Sequence, residues 1–253
     1  MLASGEEQRD FGSEGLSTWR EILDRHSKIR SEKIVDLFDR GLRLLEIKNN
    51  QIPDLREINK RLAALSGFKG VFVSGLEDGE RFFSMLSRRE FPIGNFLRSK
   101  DDLSYTPEPD LIHDLYGHLP FFADKAYGDF CQEFGKLACE FLDRKDLLRQ
   151  FERFFWFTVE FGLIKTPSGV RVFGAGIASS IGECEYALSG VPEVLPFDVD
   201  SIRHQEFRID EMQKRLFVIE NVEQLYASLP VLYARVSDDR YDKFSTKQKE
   251  QIR

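Results

Sequence analysis

The sequence is short of several features that would settle its class at once. Its three cysteines, Cys131, Cys139 and Cys184, are an odd number at spacings that suit neither a disulfide framework nor a metal clip. They read as free buried thiols in a reducing compartment. No apolar run approaches the roughly 18 residues of a membrane span, and the acidic opening MLASGEEQRDFGSEG lacks the layout of a secretion signal. Basic excess is missing too: 36 Lys+Arg against 43 Asp+Glu leave −7, which excludes a globally basic nucleic-acid binder. There is no internal repeat, no low-complexity tract and no central linker rich in Pro, Gly or Ser. What is left is a cytoplasmic globular chain, because 42% apolar residues against 31% charged supply a sizeable core. Its length suits one domain. One surplus stands out, 23 Phe beside 7 Tyr and 2 Trp, which a core or a ring-binding pocket could use.

The patterning predicts a mainly α fold with a few short β-strands. Residues 1–16 read as a flexible tail, 17–236 as the folded domain and 237–253 as a charged segment without sustained heptads. From Ser31, the spacing of Ile34, Leu37, Phe38, Leu42 and Leu45 fits one helical face. Pro53 opens a second helix through Leu55, Ile58, Leu62 and Leu65, and Gly67 stands where a left-handed cap would end it. Val71–Val73 is strand-like and Phe82, Phe83 and Leu86 are helical. Residues 124–142 and 146–163 read as helices, the second apolar on nearly every side and so deeply buried. Strands are predicted near Val170–Phe173 and Leu216–Ile219, with a helix near Ile181–Leu188 between them.

Chemistry is concentrated in few residues. The histidines are His26, His113, His118 and His204, and two of them fall within PDLIHDLYGH, residues 109–118. Neutral imidazole suits Zn, Fe, Cu and Ni. On a continuing α-helix, an interval of five puts the rings about 140° apart. Gly117 is expected to end the helix in the left-handed conformation and turn His118 back towards His113. The competing reading is one surface histidine and one capped core histidine. Glu160 shifts the balance. It lies in FFWFTVEFGL, where an unpaired buried carboxylate costs roughly several kcal/mol and so calls for a cation or must stay protonated, unless an Arg or Lys meets it on an incompletely buried face. Two histidines and one carboxylate form the facial triad of non-haem Fe(II) oxygenases, although zinc hydrolases use the same residue types. His26 and His204 read as structural or exposed.

With these residues in hand, the chain resembles the tetrahydropterin-dependent aromatic amino acid hydroxylases, and among them the compact bacterial phenylalanine 4-hydroxylases. The matching segments are SGFKGVFVSGL (66–76), FPIGNFLR (91–98), YTPEPDLIHDLYGHLPFFAD (105–124), YGDFCQEFG (127–135), FWFTVEFGL (155–163) and VFGAGIASSIGECEYALS (172–189). They stand in family order and cover roughly residues 17 to 235. The resemblance implies a single hydroxylase-like catalytic domain with His113, His118 and Glu160 as Fe(II) ligands. It places Arg98 on the carboxylate of a free aromatic amino acid, a pairing suited to the guanidinium fork. Thr106, Pro107, Trp156, Phe161 and Ser179 fall on the substrate side. Gly75, Leu76, Phe82, Asp114 and Phe155 fall on the side of the tetrahydropterin, tetrahydrobiopterin or similar.

The implied reaction is ring hydroxylation with O2 and a reduced pterin, phenylalanine to tyrosine first, in phenylalanine catabolism by a cytoplasmic monomer without regulatory domain. Trp156 favours phenylalanine over tryptophan. Two departures bear on preference: Phe155 replaces a frequent tyrosine, and Ala178 replaces a frequent leucine, which is expected to widen the pocket. Taken singly, Phe82, Trp156 and Phe161 also suit ordinary core, Arg98 a surface, and Ser179–Ser180 a helix cap. Competing functions are the same chemistry on tyrosine or tryptophan, a pterin-independent metalloenzyme and a non-catalytic relative that only binds.

Overall fold

The structure is a computed structural model that describes residues 7–99 and 109–251. Helices dominate, joined by six short strands among the described residues, the class that the patterning predicts. The first helix, Gly12–Ser27, buries Thr18, Trp19, Ile22, Leu23 and His26 on one side. It begins inside the segment expected as a tail, and upstream the Gln8 side chain donates to the Pro53 carbonyl at 3.0 Å and accepts from the Leu55 N–H at 2.9 Å. The chain is therefore tied down well before residue 17.

The helical face expected from Ser31 is split. Arg30–Lys33 makes one turn, and Asp36–Leu44 resumes after extended backbone at Ile34 and Val35. These two β-branched residues lie against Val172 instead, with the Val35 N–H donating to its carbonyl at 3.0 Å; the pleated surface accommodates their branched side chains. Leu55–Leu65 is capped by Asp54 rather than opened by Pro53, because the Asp54 carboxylate accepts the Arg56 N–H at 2.8 Å. Gly67 does take the left-handed conformation, at φ +78°.

β1 (Lys69–Val73) pairs in parallel with β2 (Glu90–Gly94), from Lys69 opposite Glu90 to Val73 opposite Gly94, with the Gly79–Ser87 helix as crossover. Sequence patterning misses β2 because Pro92 argues against a strand. With a neighbour on one side only, β2 tolerates it. A second sheet, in the order β4-β3-β6-β5, is formed by β3 (Leu163–Thr166), β4 (Gly169–Val172), β5 (Glu193–Pro196) and β6 (Arg215–Ile219). β3 and β4 are antiparallel; the β3–β6 and β5–β6 pairs are parallel.

Between the sheets lies the phenylalanine-rich core. Phe121, Phe122, Tyr127, Phe134, Phe151 and Phe154 are all buried. The Phe134 ring stands 5.5 Å from Phe151 and 6.0 Å from Phe154, which locks the Lys125–Cys139 helix to the Lys145–Phe155 helix. Each such burial contributes about 1.5–3 kcal/mol. Cys131 and Cys184 are buried free thiols, as expected, whereas Cys139 is half-buried. The final helix, Leu229–Gln251, runs straight through the boundary expected at residue 237. Within it, Asp239 accepts from Gln150 at 2.8 Å and from Arg203 at 2.7 Å, so this part of the C-terminal segment packs on the domain.

His26 proves structural, with a consequence for acid stability. Its ring is buried, shares a 2.8 Å hydrogen bond with the Tyr116 hydroxyl and lies edge-on to Phe38. Burial first, then the charge of Arg30, push its pKa down to about 4. Above pH 6.5 the ring is neutral folded or unfolded. As pH falls towards 4 the unfolded chain takes up the proton first, so stability drops by about 3 kcal/mol. Urea unfolding at pH 7 and pH 4 should show that loss shrinking in His26→Gln; equal losses in the two proteins would contradict the assignment.

Candidate active site

The five-residue interval between His113 and His118 is bridged by a mechanism different from the expected one. Ile112–His118 is π-helical. Bonds run from residue i to i+5 in a π-helix, so residues five apart come to lie one above the other. Gly117 is not among the glycines with positive φ. It is required for close approach: a Cβ there would stand 2.7 Å from Ser179 Cβ and 3.0 Å from the Ala175 carbonyl oxygen. The predicted 146–163 helix changes in the same way, as Lys145–Phe155 gives way to a second π segment, Trp156–Glu160. The Phe161 N–H reaches the Trp156 carbonyl at 2.8 Å. Such π segments recur at functional sites.

The two π segments carry the donor groups to one point. His118 Nε2 lies 3.0 Å from Glu160 Oε1, His113 Nε2 3.7 Å from Glu160 Oε2, and the two Nε2 atoms are 3.3 Å apart. These three residues form the group among the described residues able to hold a metal ion, with donor atoms all within 4.8 Å of one another. His118 is fully buried and Glu160 is 8% exposed. Glu160 Oε2 has no hydrogen-bond partner, as expected of an atom shaped to meet a cation. Burial holds the His113 ring neutral, with its pKa near 4, against the pull of Glu160. Burial would raise the Glu160 carboxyl, but the electrostatic pull and hydrogen bond of His118, and then the pull of His113, bring it below its usual value. A neutral imidazole beside an ionised carboxylate is the ligand state that a divalent metal needs.

Gly176 closes the back of this group. A Cβ there would stand 2.9 Å from Glu160 Oε2 and 3.0 Å from the Glu160 carbonyl oxygen. Gly176→Ala should therefore displace the carboxylate at a cost of about 1–3 kcal/mol, weakening metal binding about tenfold or more. A metal titration of the two proteins checks this, and unchanged affinity would show that the carboxylate is not held from behind.

Around the donors opens a cleft of about 920 Å³. Its wall includes Arg98, 7% exposed, whose Nε and Nη2 donate to the two Asp110 carboxylate oxygens at 2.9 and 2.7 Å. Asp110 also accepts the Arg98 and His113 N–H groups at 2.9 and 3.0 Å. This buried pair thus ties Arg98 to the backbone of the histidine segment, and Nη1 takes no part in it. Trp156 is stacked between Phe161 at 4.6 Å and Phe207 at 4.3 Å, with the Arg149 guanidinium 4.6 Å from the Phe207 centroid. Ser179 Oγ is 3.3 Å from His113 Nδ1.

Also on the cleft wall, Gly75 has φ +88° with open space where a Cβ would stand, and Leu76 is 65% exposed. Phe82 meets Phe155 edge-on at 5.0 Å. Asp114 accepts the Gly94 N–H at 2.7 Å, and burial raises its carboxyl well above the usual range. The cleft thus gathers His113, His118, Glu160, Arg98, Trp156, Phe161, Ser179, Gly75, Leu76, Phe82, Asp114 and Phe155. Thr106 and Pro107 lie outside the described residues.

One expectation is corrected. Ala178 is fully buried and absent from the cleft wall, with its backbone towards the His26 ring, so it cannot widen the pocket directly. Sequence reasoning missed Asp110 and the segment Phe207–Asp210, which lines the cleft. Asp110 had a signal, an acid three residues before a histidine at a helix start; the irregular segment had none.

Fold and donor set together define a class: an enzyme of the two-histidine, one-carboxylate type, a set that with open positions suits non-haem Fe(II). The chain belongs to the biopterin-dependent aromatic amino acid hydroxylase family, whose profile matches residues 7–247. Phenylalanine-4-hydroxylase of Chromobacterium violaceum is 37% identical over 233 residues, covering 90% of this chain and 78% of that protein. A structure of the C. violaceum enzyme with iron(III) and 7,8-dihydrobiopterin superimposes with a TM-score of 0.85 at 37% identity, over 92% of this chain and 86% of that one. Another, with iron and phenylalanine bound, gives 0.82 at 36% identity over 90% and 84%.

Proposed function

We propose that this protein is a pterin- and Fe(II)-dependent monooxygenase that hydroxylates free phenylalanine to tyrosine. The observation that carries the reading is the meeting of His113, His118 and Glu160 inside a cleft whose wall also holds a buried guanidinium and an open glycine turn. In this reading the two imidazoles and the carboxylate hold Fe(II). With the metal and the reduced pterin bound, the pair supplies the oxidising chemistry, drawing on O2 and two electrons from the pterin.

The chain's own residues position and exclude. Arg98, pre-oriented by Asp110, meets the substrate carboxylate, while Trp156 and Phe161 wall its ring and Ser179 borders the His113 side. Thr106 and Pro107 belong to the same proposal by resemblance alone. Gly75 and Leu76 give the pterin backbone to lie against, Phe82 and Phe155 offer ring faces, and Asp114 closes that end of the site. Together they hold ring and pterin in fixed relation and keep bulk water out. Phe155 gives the pterin side no hydroxyl.

Finer expectations join the same proposal: a monomer acting in the cytoplasm in phenylalanine catabolism. Three unpaired cysteines suit a reducing compartment, and no helix among the described residues is long and apolar enough to cross a membrane. The test is anaerobic loading with Fe(II), then assays of phenylalanine, tyrosine and tryptophan with O2 and a reduced pterin, read by mass spectrometry. Tyrosine should form from phenylalanine only with pterin and iron together. Turnover that ignores the pterin, or that proceeds with zinc alone, would overturn the reading.

A further inference from the structure

A free amino acid carries an ammonium as well as a carboxylate, and Arg98 can meet only the second. An ammonium taken from water into a cleft needs an acceptor of opposite charge. Six carboxylates among the described residues line this cleft: Glu77, Asp114, Glu152, Glu160, Glu183 and Asp210. Five are already engaged. Glu77 pairs with Arg81 at 3.0 Å, Glu152 with Arg149 at 2.8 Å and Asp210 with Arg208 at 2.6 Å. Asp114 holds the Gly94 N–H, and Glu160 faces the two imidazoles.

Glu183 is the exception. Neither a counter-charge nor a hydrogen-bond donor meets its carboxylate among the described residues. Its position explains why this is unusual. It is the third residue of the Ile181–Ala187 helix, where a glutamate often folds back onto the N–H of the capping serine. That N–H is taken: Ser180 donates it to the Ile177 carbonyl at 3.0 Å, while the Ser180 hydroxyl accepts the Glu183 N–H at 3.3 Å. The carboxylate is therefore half-buried on a cleft wall with nothing of its own to hold, and burial alone pushes its pKa up. Ser179, which ends the preceding Ala175–Ala178 turn just ahead of the Ser180 cap, lines the same cleft and lies 3.3 Å from His113 Nδ1, so Glu183 shares a cleft wall with a residue that borders the metal ligands.

We infer that Glu183 receives the α-ammonium of the substrate, so that Arg98 and Glu183 together read a zwitterion and select the free amino acid over its des-amino analogue. This rests on the proposed function. The test is calorimetric binding of L-phenylalanine, 3-phenylpropanoate and oxidised pterin to metal-loaded wild type, Glu183→Gln and Glu183→Asp. Wild type should prefer phenylalanine to 3-phenylpropanoate by about tenfold or more. Glu183→Gln should weaken phenylalanine about tenfold and leave 3-phenylpropanoate and pterin within twofold. Its KM should rise while kcat stays within threefold, and Glu183→Asp should restore part of the preference. Equal weakening of both ligands, no weakening, or a loss confined to the pterin overturns the assignment. If wild type makes tyrosine yet its preference survives Glu183→Gln, only the role of Glu183 falls. If wild type binds no amino acid at all, the functional reading falls with it.

Discussion

Glu160→Ala should give a folded protein that retains no iron and turns over on the order of 10³-fold more slowly than wild type, since a metal centre supplies several kcal/mol of catalysis. The expectation follows from what the carboxylate does without a metal. It is 8% exposed, one of its oxygens has no hydrogen-bond partner and the other meets only His118 among the described residues, so the carboxylate is incompletely satisfied until a cation arrives. The variant's metal-free melting temperature should stay close to that of wild type, because the lost His118 contact is offset by removing a half-satisfied buried carboxylate. Adding Fe(II) should raise the wild-type melting temperature, through about 2.7 kcal/mol of added stability at a hundred times the dissociation constant, and leave the variant unmoved. Melting curves with and without metal read this directly. A variant that loses activity but still gains stability from Fe(II) would show that the ion binds elsewhere.

Arg98→Ala should damage stability and function together, by separable routes. Asp110 is fully buried and takes four donors, three of them from Arg98. Removing the guanidinium strands that carboxylate, and breaking a buried pair in this way costs about 3–5 kcal/mol. On the proposed role the substrate carboxylate loses its partner too, and KM for phenylalanine should rise about a hundredfold or more. Arg98→Lys should keep charge without the fork and recover only part of either loss. The double variant Arg98→Ala/Asp110→Ala separates the effects: stability should return in part, because no charge is left stranded, while substrate affinity should not. Denaturant melts and steady-state kinetics on the three variants check this. Full recovery of KM in the double variant would remove Arg98 from the substrate site.

Much of the fold could be read from periodicity, because long apolar stripes such as that of the Lys125–Cys139 helix report burial directly. Boundaries failed where tertiary contacts overrode local preference. Ile34 and Val35 left their helix for Val172, and Gln8 tied down a polar segment that reads as a tail. At the site, residue types and motif order were enough to nominate the donors and both walls of the cleft. The geometry that joins them was not legible. A π segment has no signature in apolar spacing, so a glycine between two histidines reads as a terminator although Gly117 serves close packing against Ser179. Ala178 misled for a related reason: its motif position borders the site, but it is fully buried off the cleft wall with its backbone towards His26. Glu183 carried no signal of its own beside the Ser179–Ser180 cap, and only the commitment of the Ser180 N–H to Ile177, with no charge or donor at the carboxylate among the described residues, marks it out.

The central claim is that three side chains grip one ferrous ion. Diffraction from crystals of the iron-loaded protein, recorded on both sides of the iron absorption edge, tests it most directly. A single anomalous peak should appear within bonding distance of His113 Nε2, His118 Nε2 and a Glu160 oxygen, and should vanish in Glu160→Ala. Stoichiometric iron bound at any other place, or no peak among these three residues in a fully loaded crystal, would contradict the account.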